Sequence, residues 1–209
     1  MVNASRPSRA DYYKVLAKVL PADALVVTAL GNASYLWAAT RDAPENFYLE
    51  DAMGLALPLA LGLAVAQPKR RVVVVEGDGA LLMHMGTLVT IGAVKPANLV
   101  VLLIQNGVHA ASGGQVLTNP DLDFAALARG AGIEHAEKVV TAEAFASELK
   151  AALAADGPRV LVLATEPDVK VVRPPIPLDP VLTKHRFMTG IGTPRYVPTL
   201  FGGGRLVRE

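Results

Sequence analysis

A chain of 209 residues, 52% hydrophobic and 5% aromatic, can bury one full core and is short for two. Its 20 basic and 19 acidic residues leave a formal charge of +1 with no long run of one sign, which argues against nucleic acid or an anionic membrane surface as partner. There is no cysteine for a disulfide or thiolate metal site, no apolar leader in MVNASRPSRADYYK and no apolar run long enough for a bilayer, so the chain reads as cytoplasmic and without a membrane partner.

Ser8 can cap a helix in which Tyr12, Val15, Leu16 and Val19 recur at helical spacing until Pro21. Leu25 to Leu30 is a buried strand. It ends at Gly31-Asn32-Ala33-Ser34, small residues that either admit a ligand before the helix at Tyr35 or form a plain strand-to-helix turn. Phe47 to Leu49 form a short strand. Gly54 to Ala66 is apolar on every side, which places it between layers or against another chain. Val72 to Val75 and Leu99 to Ile104 are β-branched or leucine-rich runs separated by a helical stretch, the pattern of a strand, a crossover helix and a parallel strand. Ser112-Gly113-Gly114-Gln115 reads as a mobile loop or a simple linker. A helix over 121 to 131, a strand near Ile133 to Ala136, a helix from Thr141 to Ala155 capped by Thr141 and a strand from Arg159 to Ala164 complete the series. The alternation predicts an α/β fold over 1 to 170: a doubly wound, mostly parallel six-stranded sheet with helices on both faces. Residues 171 to 209 read as a Pro/Gly-rich extended tail that cannot build a core of its own.

In such sheets ligands lie beyond the carboxyl ends of the strands, so Gly77-Asp78-Gly79 and Asn106-Gly107 should face one crevice. A carboxylate, an amide oxygen and a main-chain carbonyl suit Mg²⁺, which keeps phosphate oxygens as its remaining ligands. Each dipeptide alone also reads as an ordinary turn. The segments after them do not alternate as returning hairpin strands should.

At these residues the chain resembles the thiamine-diphosphate-dependent enzymes, whose signature is Gly-Asp-Gly followed, after a helix and a strand, by an asparagine. Here Asn106 stands 28 residues after Asp78. The resemblance implies the thiamine-diphosphate-binding fold, with thiamine diphosphate and Mg²⁺ as cofactors. It implies that Asp78 and Asn106 bind the metal through their side chains and Val108 through its carbonyl. Gly77, Gly79, Ala80 and Leu81 would lie along the diphosphate, with Gly31, Asn32 and Ser34 at the close-approach turn. Ala52-Met53-Gly54 resembles the segment in which a bulky apolar residue wedges beneath the cofactor and brings its 4′-imino nitrogen towards thiazolium C2. Met53, 25 residues before Asp78, takes that place as a catalytic residue, and also reads as a core methionine. The Asp51 carbonyl would accept from the 4′-amino group. Asp51 stands where glycine is usual and carries a Cβ and a charge there. His109 would hold an anionic group of the substrate or give up a proton in catalysis, or be merely solvated in a Gly-rich loop. His84 reads as a packed residue.

The runs RDAPENFYLEDAMGLALPLALGLA, GDGALLMHMGTLVTIG and NGVHAASGGQ are similar to the C-terminal half of phosphonopyruvate and sulfopyruvate decarboxylases. The likeness covers about residues 8 to 190, including RPPIP and HRFM in the tail. His109 replaces a frequent aromatic residue, and Ala111-Ser112 stands where Gly-Ser or Ser-Thr is usual. Enzymes of this family activate the cofactor with a glutamate from a separate pyrimidine-binding domain. Glu50 and Asp51 lie on the wrong side of the ring for that role, and one diphosphate domain already fills the chain. The resemblance therefore implies the β-type subunit of a split 2-oxoacid decarboxylase that makes an aldehyde and CO₂. An α-type subunit would supply the glutamate, and the working form would be a higher-order oligomer. Two rivals stand beside it: the β-chain of another thiamine-diphosphate enzyme (a 2-oxoacid oxidoreductase or acetolactate-synthase-like), and a non-catalytic Mg-nucleotide-binding module.

Overall fold

Parallel strands covered by helices on both sides are apolar throughout, and here successive residues serve two different cores. Val27, Val72, Val74, Val101, Leu103 and Val162 face one layer, while Val26, Val73, Val75, Leu102, Ile104 and Leu163 face the other. The computed structural model describes residues 6–167 and 179–193, together with the backbone of 195–198 and 204–207.

Six strands form the sheet: β1 (Leu25–Thr28), β2 (Asn46–Tyr48), β3 (Val72–Gly77), β4 (Leu99–Gln105), β7 (His135–Val139) and β8 (Arg159–Ala164). Their order is β2-β1-β3-β4-β8-β7 and every pairing is parallel. The chain leaves β1 towards β2 on one side and returns to β3 on the other. That reversal makes a switch point at the carboxyl ends of β1 and β3, where loops diverge and leave a crevice.

Helices α1 (Arg9–Val19), α2 (Asn32–Thr40) and α7 (Ala142–Ala154) cover the first face. Helices α3 (Ala56–Ala66), α5 (Gly86–Val94), α6 (Phe124–Gly130) and α8 (Pro180–Gly190) cover the second. The doubly wound parallel sheet expected from the alternation is the one observed. The caps are also as expected: Ser8 and Asp11 form a reciprocal capping box on α1, and the Thr141 hydroxyl accepts from the Ala144 amide at 3.1 Å.

Four details differ from the pattern reading. The crossover between β3 and β4 is two helices, α4 (Asp78–Met83) and α5, because His84 leaves the helical conformation at φ −134°. The strand expected near Ile133 to Ala136 begins at His135. Val108–His109 (β5) pairs antiparallel with Gln115–Val116 (β6) around a 3-10 turn at Ala110–Ser112, so this loop closes on itself where a linker was one of the two readings. The tail expected to be extended contains α8, whose start was written in Asp179-Pro180: the Asp179 carboxylate accepts from the Leu182 amide at 2.9 Å and proline occupies the first turn. Phe187 docks edge-on to Phe47 at 5.3 Å, and Arg186 pairs with Asp42 at 2.8 Å. The Arg173 to Pro177 run lies outside the described residues. A two-stranded antiparallel ladder, β9 (Arg195–Pro198) with β10 (Gly204–Val207), follows α8.

The helix α3 lies on the sheet through Ala56, Leu57, Ala60 and Ala64, while Leu55, Leu59 and Val65 remain exposed at 41%, 39% and 58%. Among the described residues no helix is long and apolar enough to cross a membrane.

Two helical glycines test how tightly this second layer is packed. A Cβ on Gly92 of α5 would collide with the carbonyl oxygen of Ala131, whereas one on Gly62 of α3 meets nothing within 4 Å. Alanine otherwise stabilises a helix interior by about 1 kcal/mol over glycine. Urea denaturation should therefore show Gly62→Ala raising the unfolding free energy by up to about 1 kcal/mol and Gly92→Ala lowering it by roughly 1–3 kcal/mol.

Candidate functional site

A cavity of about 260 Å³ lies at the switch point. Asn32 enters its wall from the start of α2, Met53 from the turn before α3, Gly77, Gly79 and Ala80 from the β3–α4 junction, and Asn106, Val108 and His109 from the loop after β4. Eight residues singled out in the sequence thus converge on one space.

Asp78 sits under this wall at 2% exposure. Its Oδ1 accepts from the Gly79 amide at 2.8 Å and its Oδ2 from the Gly107 amide at 2.7 Å. One carboxylate therefore ties the end of β3 to the end of β4. Burial raises its pKa above the ordinary carboxylate value, while the amides of Gly107, Gly79 and Asn106 and the charge of Arg9 act in the other direction. Asn106, also buried, turns its Oδ1 back to accept from the Val108 amide at 3.1 Å, so this loop is preset by a side-chain bond to its own backbone. Among the described residues no three histidine, aspartate or glutamate side chains cluster as a metal site. One buried carboxylate and one amide oxygen suit a hard cation that brings phosphate oxygens with it.

The glycines of the signature are steric requirements. A Cβ on Gly79 would lie 2.7 Å from the His109 ring, and one on Gly31, at φ +68°, 3.1 Å from the Cβ of Ala111. Close approach of backbone to the cavity is thereby built in, which is the space a phosphate needs above exposed amides. A Cβ on Gly54, at φ +83°, would meet the Ala80 carbonyl and the ring of His84, which is itself exposed.

Five of the expected contact residues, Gly31, Ser34, Asp51, Asp78 and Leu81, are not in the cavity lining. Ser34 is fully buried, its hydroxyl donating to the Ala29 carbonyl at 2.8 Å and sharing a second 2.8 Å bond with Thr28. It fixes the β1–α2 turn and does not reach the space. Leu81 belongs to the core beneath α4. Asp51 is exposed and lies outside the lining, and Gly31 contributes through its backbone position. Asp51 has a left-handed backbone, with φ +51°. Aspartate tolerates this left-handed region better than most residues but still bears strain there.

Two buried ionisable groups were missed in the sequence. Arg9, 7% exposed, lines the same cavity, and its Nε has no hydrogen-bond partner. Its signal was its position on the stripe Arg9, Tyr12, Tyr13, Leu16, the buried face of α1. Glu76 is fully buried at the end of a run of four valines and accepts from the Leu57 amide at 3.2 Å and the Gly77 amide at 3.1 Å. Burial pushes its pKa up to about 7. Nearby Glu50 is also raised by burial and by the charge of Asp51.

A family model for the C-terminal TPP binding domain of thiamine pyrophosphate enzymes matches residues 30–163. The chain is 39% identical over 165 residues to phosphonopyruvate decarboxylase of Streptomyces viridochromogenes, an alignment that covers 79% of this chain and 41% of that protein. It is 39% identical over 155 residues to sulfopyruvate decarboxylase subunit beta of Methanothermobacter thermautotrophicus, covering 72% of this chain and 80% of that one. The thiamine diphosphate-dependent 4-hydroxybenzoylformate decarboxylase of Rhodococcus jostii RHA1 superposes with a TM-score of 0.69 at 26% identity, over 81% of this chain and 34% of that structure. The chain therefore spans about two fifths of the Streptomyces protein and most of the Methanothermobacter subunit.

Two measurements follow from this geometry. Replacing Asp51 by glycine removes the left-handed strain, so Asp51→Gly should unfold at higher urea, with a gain of up to about 1 kcal/mol. Glu76 has a folded pKa above its unfolded one, so its protonated form favours the folded chain. That stability is complete below about pH 4.5 and is lost as pH rises to about 7. In metal-free buffer, unfolding free energy should fall by roughly 3 kcal/mol across that window, and Glu76→Gln should flatten the fall.

Proposed function

The chain belongs to the thiamine pyrophosphate enzymes, whose C-terminal cofactor-binding domain it carries, and we propose that it is the diphosphate-binding β-type subunit of a split, Mg²⁺-dependent 2-oxoacid decarboxylase. Its substrate is phosphonopyruvate- or sulfopyruvate-like, its products are an aldehyde and CO₂, and it works in the cytoplasm within a higher-order oligomer. The observation that carries this reading is one cavity lined by Met53, Gly77, Gly79 and Asn106, with the buried Asp78 carboxylate between Gly77 and Gly79.

The residues present fit the cofactor. Small residues leave room where a Cβ would strike His109 or Ala111, a buried carboxylate lies below, and an unpartnered guanidinium nitrogen lies in the wall. Asp78 and Asn106 would hold Mg²⁺ with the Val108 carbonyl, and Gly77, Gly79, Ala80 and Asn32 would bound the diphosphate. Gly31 and Ser34 shape that boundary from behind, Leu81 supports it from the core, and the carbonyl of Asp51 would meet the pyrimidine. When bound, thiamine diphosphate supplies an electron sink for the carbon that loses CO₂. Met53 gives an apolar floor that keeps water from the reacting end. His109, its ring over Gly79, would hold the acidic group of the substrate or hand a proton to the product carbon.

The partner is an α-type pyrimidine-binding subunit that brings the activating glutamate. Exposed apolar residues support such a neighbour: Leu55, Leu59 and Val65 on or beside α3, and Met83 and Val89, 60% and 63% exposed, on α4 and α5. Leaving this area in water forfeits about 25 cal/mol per Å² that a partner would recover.

Co-expression with an α-type partner, followed by CO₂ release from a panel of 2-oxo acids, tests the proposal. Turnover is expected from the pair with sulfopyruvate or phosphonopyruvate, and from neither subunit alone. Asp78→Ala and Asn106→Ala, shown folded by circular dichroism, should each abolish Mg-dependent binding of thiamine diphosphate. Exchange of the thiazolium C2 proton by the isolated chain, well above that of free cofactor, would refute the split-subunit reading. Tight binding of ADP in place of thiamine diphosphate would point to a nucleotide module.

A further inference from the structure

The first turn of α1 is held rigidly over the carboxyl ends of the sheet. The Tyr12 hydroxyl donates to the carbonyls of Ala164 at 3.1 Å and Val139 at 3.3 Å, and the Glu166 amide donates to the Pro7 carbonyl at 3.3 Å. One residue after the Ser8 cap, on the same face as Tyr12, this turn places Arg9 in the cavity wall with Gly77, Ile104 and Asn106. The side chain is 7% exposed, its Nε has no acceptor, and no ion pair involves it among the described residues. Arginine stays charged at any working pH, and a buried, unpaired cation is costly to keep. Its charge acts on Asp78, whose two oxygens accept from the Gly79 and Gly107 amides.

We propose that Arg9 is an anchoring residue for the diphosphate group: its guanidinium donates to diphosphate oxygens and balances the negative charge that the diphosphate and Asp78 together carry beyond what one Mg²⁺ neutralises. This inference rests on the cofactor reading given above. The position of Arg9 favours the diphosphate over an acidic group on the substrate, because its charge acts on Asp78, the carboxylate that would hold the metal to which the diphosphate binds. A guanidinium fork is matched to phosphate oxygens in a way that an ammonium is not. Arg9 also repels a bare cation at Asp78. Its presence therefore makes metal and diphosphate bind together more strongly than either alone.

That coupling sets opposite signs for two ligands. Using the full chain, Mn²⁺ binding would be followed by electron paramagnetic resonance without phosphate, and inorganic pyrophosphate binding by calorimetry in saturating Mg²⁺. Arg9→Met is expected to weaken pyrophosphate about tenfold or more and to tighten Mn²⁺ several-fold. Arg9→Lys, which keeps the charge and loses the fork, should fall between wild type and Arg9→Met for pyrophosphate and leave Mn²⁺ near wild type. Arg9→Met should also melt no lower than wild type in ligand-free buffer, since it removes an uncompensated buried charge. A structural role would lower the melting temperature and weaken both ligands together, and that result overturns the proposal. So does wild-type pyrophosphate affinity in Arg9→Met. If the wild-type chain itself binds neither pyrophosphate nor thiamine diphosphate, the cofactor reading falls and this inference with it, an outcome distinct from a normal wild type with an unaffected variant.

Discussion

The carboxylate of Asp78 accepts the Gly79 amide on one oxygen and the Gly107 amide on the other, and those two bonds hold together the ends of the two central strands. Parallel strands are hydrogen-bonded along their length, but past their carboxyl ends nothing in the sheet holds the diverging loops in register. A buried carboxylate does so here. It must be small and ionisable at once: a longer side chain would not reach both amides from this position, and a neutral one would not attract a divalent cation. The surrounding glycines follow from this, since His109 is folded so closely over Gly79 that no side chain fits between them. The same residue that organises the loops is thus the one best placed to receive a metal, and architecture and chemistry cannot be separated at this point.

Much of this was legible because it is local. Gly77-Asp78-Gly79 and Asn106 carry their meaning in residue type and spacing, and runs such as Val72 to Val75 can only be buried strands. The cap on α1, the parallel sheet implied by alternation and the convergence of Met53 with the Gly-Asp-Gly turn needed little more. What escaped depended on groups brought together from distant parts of the chain. Arg9 was not singled out, although its spacing to Tyr12, Tyr13 and Leu16 set it on the buried face. Glu76 was not singled out either, and its partner, the Leu57 amide at the start of α3, is 19 residues away in sequence. The helix α8 was hidden for another reason: the prolines before it dominated the composition of the tail, while the Asp179-Pro180 start signal was only two residues long.

Asp51 and Ser34 mark the limit of carrying a motif across by residue type. Asp51 has a left-handed backbone at φ +51°, a conformation glycine adopts more readily, and it is exposed and outside the cavity lining. Ser34 has the residue type of a ligand contact, but its hydroxyl is already used twice within the β1–α2 turn. In the first case the backbone is what the site needs and the side chain is free to vary. In the second the side chain matters because it shapes the backbone of its neighbours.

The helix α3 links the two halves of the problem. It is apolar around its whole circumference, so an exposed face persists after the sheet has covered the other. Its first turn is reached by a buried carboxylate, Glu76, whose other oxygen accepts from the Gly77 amide at the start of the Gly-Asp-Gly turn. Two backbone amides, one at the outward-facing helix and one at the cofactor wall, therefore share a single acidic side chain. The group that holds the start of α3 is thus also the one that positions Gly77. Burial raises the pKa of this acid to about 7, so near neutrality its charge is only partly present. The two hydrogen bonds are what join the start of the helix to the wall.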